Sequence, residues 1–373
     1  MEVPDAGAAS GARLVGVDVA RWLAILGMVT VHVGPYRDVP PGPAGDLWQL
    51  PWGRASVLFV VLAGLGVGLL ERRSPTREVR ARLVWRAVWL VPLGLWLQEL
   101  DTPVAVILQY YGLYFLALVA YVGRRGRTLL VHAAGWAVLG AVVVTALRVR
   151  APHLVAPLGG DPPLPVALVA GGFYPLVSWL GPMLAGLWLG RRDLARPDLW
   201  RRLVVVGATV AVGVHLGAVG LQRLLGVRPP AEQRSWAWML SVEQHADVVP
   251  SVVAALGAAA AVLGACLWLA DRAGRWLATA VAGGRLALTT YVGHLLVFQL
   301  APGVLPVDSV AHGWRRLAQF VVLTSLLPWL WLQVRPRGPL EGLVRWPWRR
   351  VVLPVVRRVG ARDAAPAEPG PGG

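Results

Sequence analysis

Apolar residues in this chain do not alternate with polar ones. They come in long runs, separated by short connections rich either in arginine or in proline, glycine and acids. Against a yardstick of about 20 residues per spanning helix, ten runs are long enough to span or nearly span a bilayer: 14–34, 54–70, 83–98, 104–122, 129–147, 172–190, 201–223, 248–270, 276–300 and 315–334. The third is the shortest and has Pro92 in its middle. The pattern predicts an all-α, polytopic integral membrane protein of about ten transmembrane helices.

The connections then predict orientation. "ERRSPTREVRAR", "GRRGR", "GRRDLARPDLWRR", "DRAGR" and the segment from Arg335 are arginine-rich and fall at alternate positions. The intervening ones, "QELDTP", "VRAPHLVAPLGGDPPLP" and the stretch from Arg228 to Asp247, are poorer in arginine. By the positive-inside rule both termini are expected in the cytoplasm. The opening "MEVPDAGAASGAR" lacks the basic region of a cleavable signal, so the first span is expected to be retained. The chain divides into a cytoplasmic segment 1–13, a transmembrane domain 14–334, a Trp- and Arg-rich interfacial segment 335–360, and a Pro/Ala/Gly tail 361–373 expected to be disordered.

Composition supports lipid as the solvent. Of 373 residues, 56% are hydrophobic and 15% charged, and the mean hydropathy is +0.57. A water-soluble domain of this size would struggle to hide so much apolar surface. The net charge of +16 does not point to nucleic acid, because the basic residues sit between apolar runs and not on one face of a soluble body. All 36 basic residues are arginine, which with abundant Ala, Gly, Val and Trp reads as a coding bias. The single cysteine, Cys266, lies inside an apolar run and offers neither a disulfide framework nor a thiolate metal site.

The first run, "GVDVARWLAILGMVTVHVG", contains three groups that hydrocarbon rejects: Asp18, Arg21 and His32. At 100° per residue they fall within about 60° of one another, so one face of this helix is polar. Asp18 and Arg21 are an i, i+3 pair near the cytoplasmic end. His32 lies 11 residues further on, about 16 Å along the axis, toward the outer surface. Ionisable groups cost about 2.5 to 3.5 kcal/mol each at the centre of a span and usually face an interior cavity. The plainer alternative is an interfacial ion pair and a snorkelling terminal histidine.

On the same topology the ninth run, "GGRLALTTYVGHLLVF", carries Arg285 in its inner half and Tyr291 beyond it, and sets His294 toward the outside. The loop "SVEQHADVVP" delivers Glu243, His245 and Asp247 to that same side. Each has an ordinary alternative, a core histidine or a solvated loop. Their spacing matches no helical metal motif, so no metal is expected.

The segments "RLVGVDVARWLAILGMVTVHVG", "GRASVLFVVLAGLGVGL", "VILQYYGLYFLALV", "GGFYPLVSWLGPMLAGLWLGRRDL" and "GGRLALTTYVGHLLVF", in that order, resemble the bacterial membrane proteins grouped with heparan-alpha-glucosaminide N-acetyltransferase and with DUF418. "RPRGPLEGLVR" resembles the closing signature of DUF418. Arg21, ten residues and then His32 is similar to the first-span pattern of acyltransferase-3 O-acetyltransferases. The resemblance implies a transmembrane acyltransferase of the bacterial plasma membrane. It would take an acyl group, acetyl first among candidates, from cytoplasmic acyl-CoA and give it to an extracytoplasmic sugar, glycan or small-molecule acceptor.

Carried over by resemblance, His32 and Arg21 match the conserved histidine and arginine, with Asp18 and His294 beside them as further catalytic candidates. Arg77 and Arg80 are spaced like the donor-side Arg-x-x-Arg motif, and with Arg82 and Arg86 they are expected to pair with acyl-CoA phosphates. Positive-inside arginines are the alternative for each. Glu243, His245, Asp247, Tyr291 and Arg285 are expected to bind substrate, although the sequence around His245 follows the relatives only loosely. Acyl transfer needs a base for the acceptor proton and a stabiliser for the tetrahedral oxyanion, and a neutral histidine suits the first role near pH 7. His32 is the expected base, either direct or transiently acylated. Lipids and acyl-CoA are the expected partners, and a homo-oligomer is compatible with the chain. The competing class is a proton-coupled transporter or flippase using the same polar groups as a relay, and a non-catalytic scaffold is the third.

Overall fold

The computed structural model describes residues 14–34, 39, 41–100, 102–229, 231–304 and 309–364. The segment 1–13 and the tail beyond 364 lie outside the described residues. The described chain is built of helices joined by short connections, without a strand. All ten apolar runs are helical over most of their length. We label the main helices α1 (Val15–His32), α2 (Arg54–Glu71), α3 (Thr76–Gln98), α4 (Leu108–Leu118), α5 (Gly126–Arg150), α6 (Leu176–Gly190), α7 (Pro197–Leu225), α8 (Val249–Ala273), α9 (Ala278–Arg285), α10 (Ala287–Leu300), α11 (Val310–Val334), α12 (Pro339–Pro347) and α13 (Leu353–Ala364).

Six helical stretches, two of them interrupted by a short break, are long and apolar enough to cross a membrane: Val15–His32, Pro43–Glu71, Gly126–Arg150, Pro197–Leu225, Val249–Arg285 and Val310–Val334. A seventh candidate is a bent pair, Leu164–Gly171 with Leu176–Gly190, at 56°. The other runs deviate for local reasons. α3 starts well before the predicted 83, because "TREVRAR" continues the helix, and it runs on through Pro92. α4 is only 11 residues long, preceded by non-helical backbone at 104–107. That backbone is satisfied from outside: Gln98 donates to the Val104 carbonyl and accepts from the Val106 amide, and the Ile107 amide donates to the Tyr291 hydroxyl. Val104, Val106 and Ile107 are buried, and buried irregular backbone survives only with such partners.

Small residues bring the central helices together. Gly64 and Gly68 of α2 face the Met183 and Leu187 carbonyls of α6, while Gly186 and Gly190 of α6 face the Val61 and Leu65 carbonyls of α2. Two four-residue glycine repeats therefore interlock, and a Cβ at any of the four would meet backbone. α1 packs against α2, α8 and α9, with Gly284 pressed onto the backbone of Asp18, and lies at the centre of the bundle. α7 and α11, by contrast, bury little of their apolar surface. On the arginine-rich side, Arg191 donates to both oxygens of Glu71 (2.6 and 2.9 Å), and Gly123 N–H donates to the same carboxylate. That ties three connections into one rim.

The ninth run is broken. α9 ends at Arg285 and α10 begins at Ala287, with Leu286 at the joint outside helical geometry. The closing segment docks onto this joint: Glu341 of α12 accepts from the Leu288 and Thr289 amides and from the Thr289 hydroxyl. Trp85 of α3 donates to the Val344 carbonyl, and Arg357 of α13 pairs with Glu78 at 2.8 Å. Because α13 continues through Ala364, the tail expected from 361 overlaps its last turn.

Candidate active site

Two cavities of opposite character lie within the bundle. The first, of about 460 Å³, is bounded by α1, α2, α3, α4, α9, α10 and α12. Five guanidinium groups line it, those of Arg21, Arg82, Arg86, Arg285 and Arg345, with Glu341 as the one carboxylate among its lining residues. Aromatic side chains hold the arginines in place: Arg86 lies 5.4 Å from the Phe115 ring and Arg82 5.9 Å from that of Trp348. Arg21 is held from behind by Asp18, a buried carboxylate at 2.8 Å. Of the polar face of α1 predicted from periodicity, Arg21 is the residue that lines this cavity, where positive charge is far in excess of its compensation.

The second cavity, of about 590 Å³, has both charges and a different shape of lining. Asp46, Arg54, Glu243, His245, Asp247 and His215 contribute polar groups, and Trp52 and Trp179 supply flat apolar surface. Its floor is the loop before α8. Here His245 and Asp247 adopt positive φ angles of 51° and 58°, which non-glycine residues rarely do. Both are pinned. His245 Nδ1 lies 3.0 Å from the Phe173 carbonyl, a partner that can only accept, so Nδ1 carries the proton and Nε2 keeps its lone pair. Asp247 accepts from Trp179 Nε1 at 2.7 Å, and its backbone carbonyl accepts from the Ser178 hydroxyl. Arg148 of α5 donates to the His245 carbonyl and stacks 4.2 Å over Trp238. Burial pushes the Asp247 carboxyl up to about 7, against the pull of the Trp179 hydrogen bond and Arg148, and drives His245 down to about 4.

Beside the arginine cavity stands a layer of aromatic rings and two further imidazoles. Tyr291 lines the arginine cavity, and its ring lies 5.0 Å from that of His294. His294 in turn stacks on His32 at 6.4 Å, and both contact Phe298. His294 is 3% exposed. A second line of rings starts from the other cavity. His245 contacts Tyr174 at 5.1 Å, Tyr114 donates to the Tyr174 carbonyl, and Tyr114 packs on Tyr111, whose unpartnered hydroxyl belongs to a residue lining the arginine cavity.

The predicted residues divide between these places. Arg21, Arg82, Arg86, Arg285 and Tyr291 share the arginine cavity, so Arg285 and Tyr291 stand on the expected donor side and not with the acceptor group. Glu243, His245 and Asp247 share the mixed cavity. His32 lines neither cavity and stacks on His294, which lines a smaller third pocket against α11. Arg77 and Arg80 line neither cavity: Arg80 donates to the Val122 carbonyl, and Arg77 lies beside Gly360 of α13. Sequence reasoning missed Tyr111, Tyr174, Trp179, Glu341 and Arg345. The tyrosine-rich stretch "LQYYGLYF" and the lone carboxylate in "RPRGPLEGLVR" were the available signals. Among the described residues no three His, Cys, Asp or Glu side chains gather as a metal site would require.

Two family models match the chain. The model described as heparan-alpha-glucosaminide N-acetyltransferase, catalytic, matches residues 13–224, more than half of the chain, and so covers the first seven helices. The model of the protein of unknown function DUF418 matches residues 188–351, overlapping it and reaching through Glu341 and Arg345. No curated protein matches the chain.

Proposed function

This chain belongs to the heparan-alpha-glucosaminide N-acetyltransferase family, which implies an acetyltransferase of the membrane. From that premise we propose that it moves an acetyl group from acetyl-CoA, bound in the arginine cavity, to an acceptor bound in the mixed cavity. One observation carries the reading: Tyr291 on the wall of the arginine cavity contacts His294, which stacks on His32, so the imidazole pair adjoins the side that gathers positive charge. Five guanidinium groups suit a ligand carrying several phosphates. The indoles of Trp52 and Trp179 beside Asp46, Glu243 and Asp247 suit a sugar or glycan hydroxyl or amine.

On this reading His32 takes the proton from the acceptor as it attacks the thioester carbonyl. The oxygen–carbon or nitrogen–carbon bond forms, the carbon–sulfur bond breaks, and the CoA thiolate receives the proton. His294 orients His32, and Tyr291 is positioned to donate to the developing oxyanion. Ten spans with cytoplasmic termini would set the arginine cavity inside and the mixed cavity outside, in a bacterial plasma membrane. The arginine-rich rim of Glu71, Gly123 and Arg191 supports that sidedness.

The test is acetyl transfer in nanodiscs from radiolabelled acetyl-CoA, with release of free thiol as the second readout. His32→Gln keeps size and a hydrogen bond but cannot accept the proton, and should reduce turnover by about 10²-fold or more. Consumption of thioester distinguishes an enzyme from a transporter. Wild-type protein that binds acetyl-CoA and never releases thiol would overturn the assignment, and a wild-type rate in His32→Gln would move the base to His294.

A further inference from the structure

The joint between α9 and α10 leaves the first amides of α10 without helical acceptors. The chain meets them from 52 and 53 residues away. Glu341 Oε1 accepts from Leu288 N–H at 2.9 Å and Thr289 N–H at 3.1 Å, and Oε2 accepts from the Thr289 hydroxyl at 2.6 Å. The same hydroxyl accepts from the Leu340 amide, and Arg285, the last residue of α9, donates to the Pro336 carbonyl. Leu288 and Thr289 are the second and third residues of α10. A carboxylate there satisfies orphan donors and complements the positive end of the helix.

What hangs from this cap is specific. Tyr291 is two residues past Thr289 and His294 one turn further, so the two α10 groups assigned to the reaction are set by the start of the helix. Glu341 also lines the arginine cavity, together with Arg345 one turn along α12. We infer that Glu341 is a positioning residue: it fixes the start of α10, and through it Tyr291 and His294, and so couples the closing segment to the chemistry. The inference rests on the proposed acetyl transfer for its catalytic half, while the structural half stands without it.

Hydrogen exchange and kinetics on the full chain in nanodiscs test the two halves separately. Glu341→Ala should speed exchange of the Leu288 and Thr289 amides at least 10-fold while leaving α2 and α6 protected. It should also lower kcat about 10-fold or more without raising the acetyl-CoA KM, because the change removes a negative charge from the arginine cavity. Glu341→Gln retains one acceptor oxygen for the amides and should recover most of both. Should Glu341→Ala fail to fold, Thr289→Val, which removes only the hydroxyl, should give a smaller change in the same direction. Unchanged exchange in Glu341→Ala would overturn the inference whether or not the wild type turns over acetyl-CoA, and faster exchange with wild-type kcat would overturn its catalytic half. Absence of turnover in the wild type would instead refute the acetyltransferase reading and leave the exchange result to decide the cap.

Discussion

The two cavities are of similar size, and they differ in how their charges are kept. In the arginine cavity like charges crowd together: five guanidinium groups share the space with Glu341, and most are held by aromatic faces or by hydrogen bonds behind the lining. A lining with so large an excess of positive charge is self-repelling until an anion enters, so such a site is an electrostatic preference for a polyanion. The mixed cavity sets three carboxylates, Asp46, Glu243 and Asp247, beside one guanidinium, Arg54, and its specificity resides in direction: a histidine tautomer fixed by Phe173 and a carboxylate aimed by Trp179. The first can be broken by removing charge. The second should be sensitive to geometry and to pH.

The largest separation of the two should come from Arg86. It sits over Phe115 and lines only the arginine cavity. Arg86→Gln should raise the acetyl-CoA KM about 10- to 100-fold, the loss expected for one hydrogen bond to a charged group at about 1.5 to 3 kcal/mol. The acceptor KM should stay within about 2-fold of wild type, and the salt dependence of donor binding should weaken. Donor and acceptor titrations of Arg86→Gln beside Glu243→Gln would check it. A crossed result, with Glu243→Gln raising donor KM instead, would exchange the roles of the cavities.

How legible was this in the sequence? The helices were, because a span must bury or expose an unbroken apolar run, and all ten runs are helical. The polar stripe of α1 was legible for the same reason: Asp18 and Arg21 share a face by the helical period alone. What was hidden was pairing at long range. Nothing in the spacing of Arg82 and Arg86 separates them from Arg77 and Arg80, since only the packing of α3 against α4 and α12 decides which turn faces the cavity. The break at Leu286 was hidden too, because "GGRLALTT" reads as continuous helix until Glu341 arrives from another element. The strained backbone of His245 and Asp247 carries no sequence mark, neither residue being glycine.

A smaller effect should appear with pH. Asp247 titrates near 7 because burial disfavours its charged form, while His245, near 4, stays neutral throughout the range from 5 to 9. A carboxyl whose folded pKa is raised contributes stability that is full below its unfolded value, about 3.9, and that is lost as pH climbs through about 7. The loop 241–248 should therefore exchange its amides faster at pH 8 than at pH 6, beyond the intrinsic rate change. Above about 7 the ionised Asp247 accepts more strongly from a hydroxyl or ammonium donor, so the acceptor KM should fall about 3- to 10-fold across the same interval. The donor KM should not follow it. Asp247→Asn should flatten both profiles, and a pH response that survives in Asp247→Asn would place the titrating group elsewhere.

The smallest effect sharpens the boundary of the arginine cavity. Arg77, Arg80, Arg82 and Arg86 lie along one helix, and an electrostatic field that acted at a distance would make all four matter in proportion to charge. Contact predicts a step instead. Arg80 donates to the Val122 carbonyl and Arg77 lies beside Gly360, both outside the cavity lining, whereas Arg82 lines it and stacks on Trp348. Exposed charges separated by more than about 8 Å are largely screened at physiological ionic strength. Arg77→Gln and Arg80→Gln should thus change the acetyl-CoA KM by less than about 3-fold at 0.15 M salt, and Arg82→Gln by more. Lowering the salt should enlarge the Arg77 and Arg80 effects without equalising the four. A graded series at physiological salt, with Arg80 as costly as Arg82, would mean that the donor lies across the outer rim of α3 and not within the cavity.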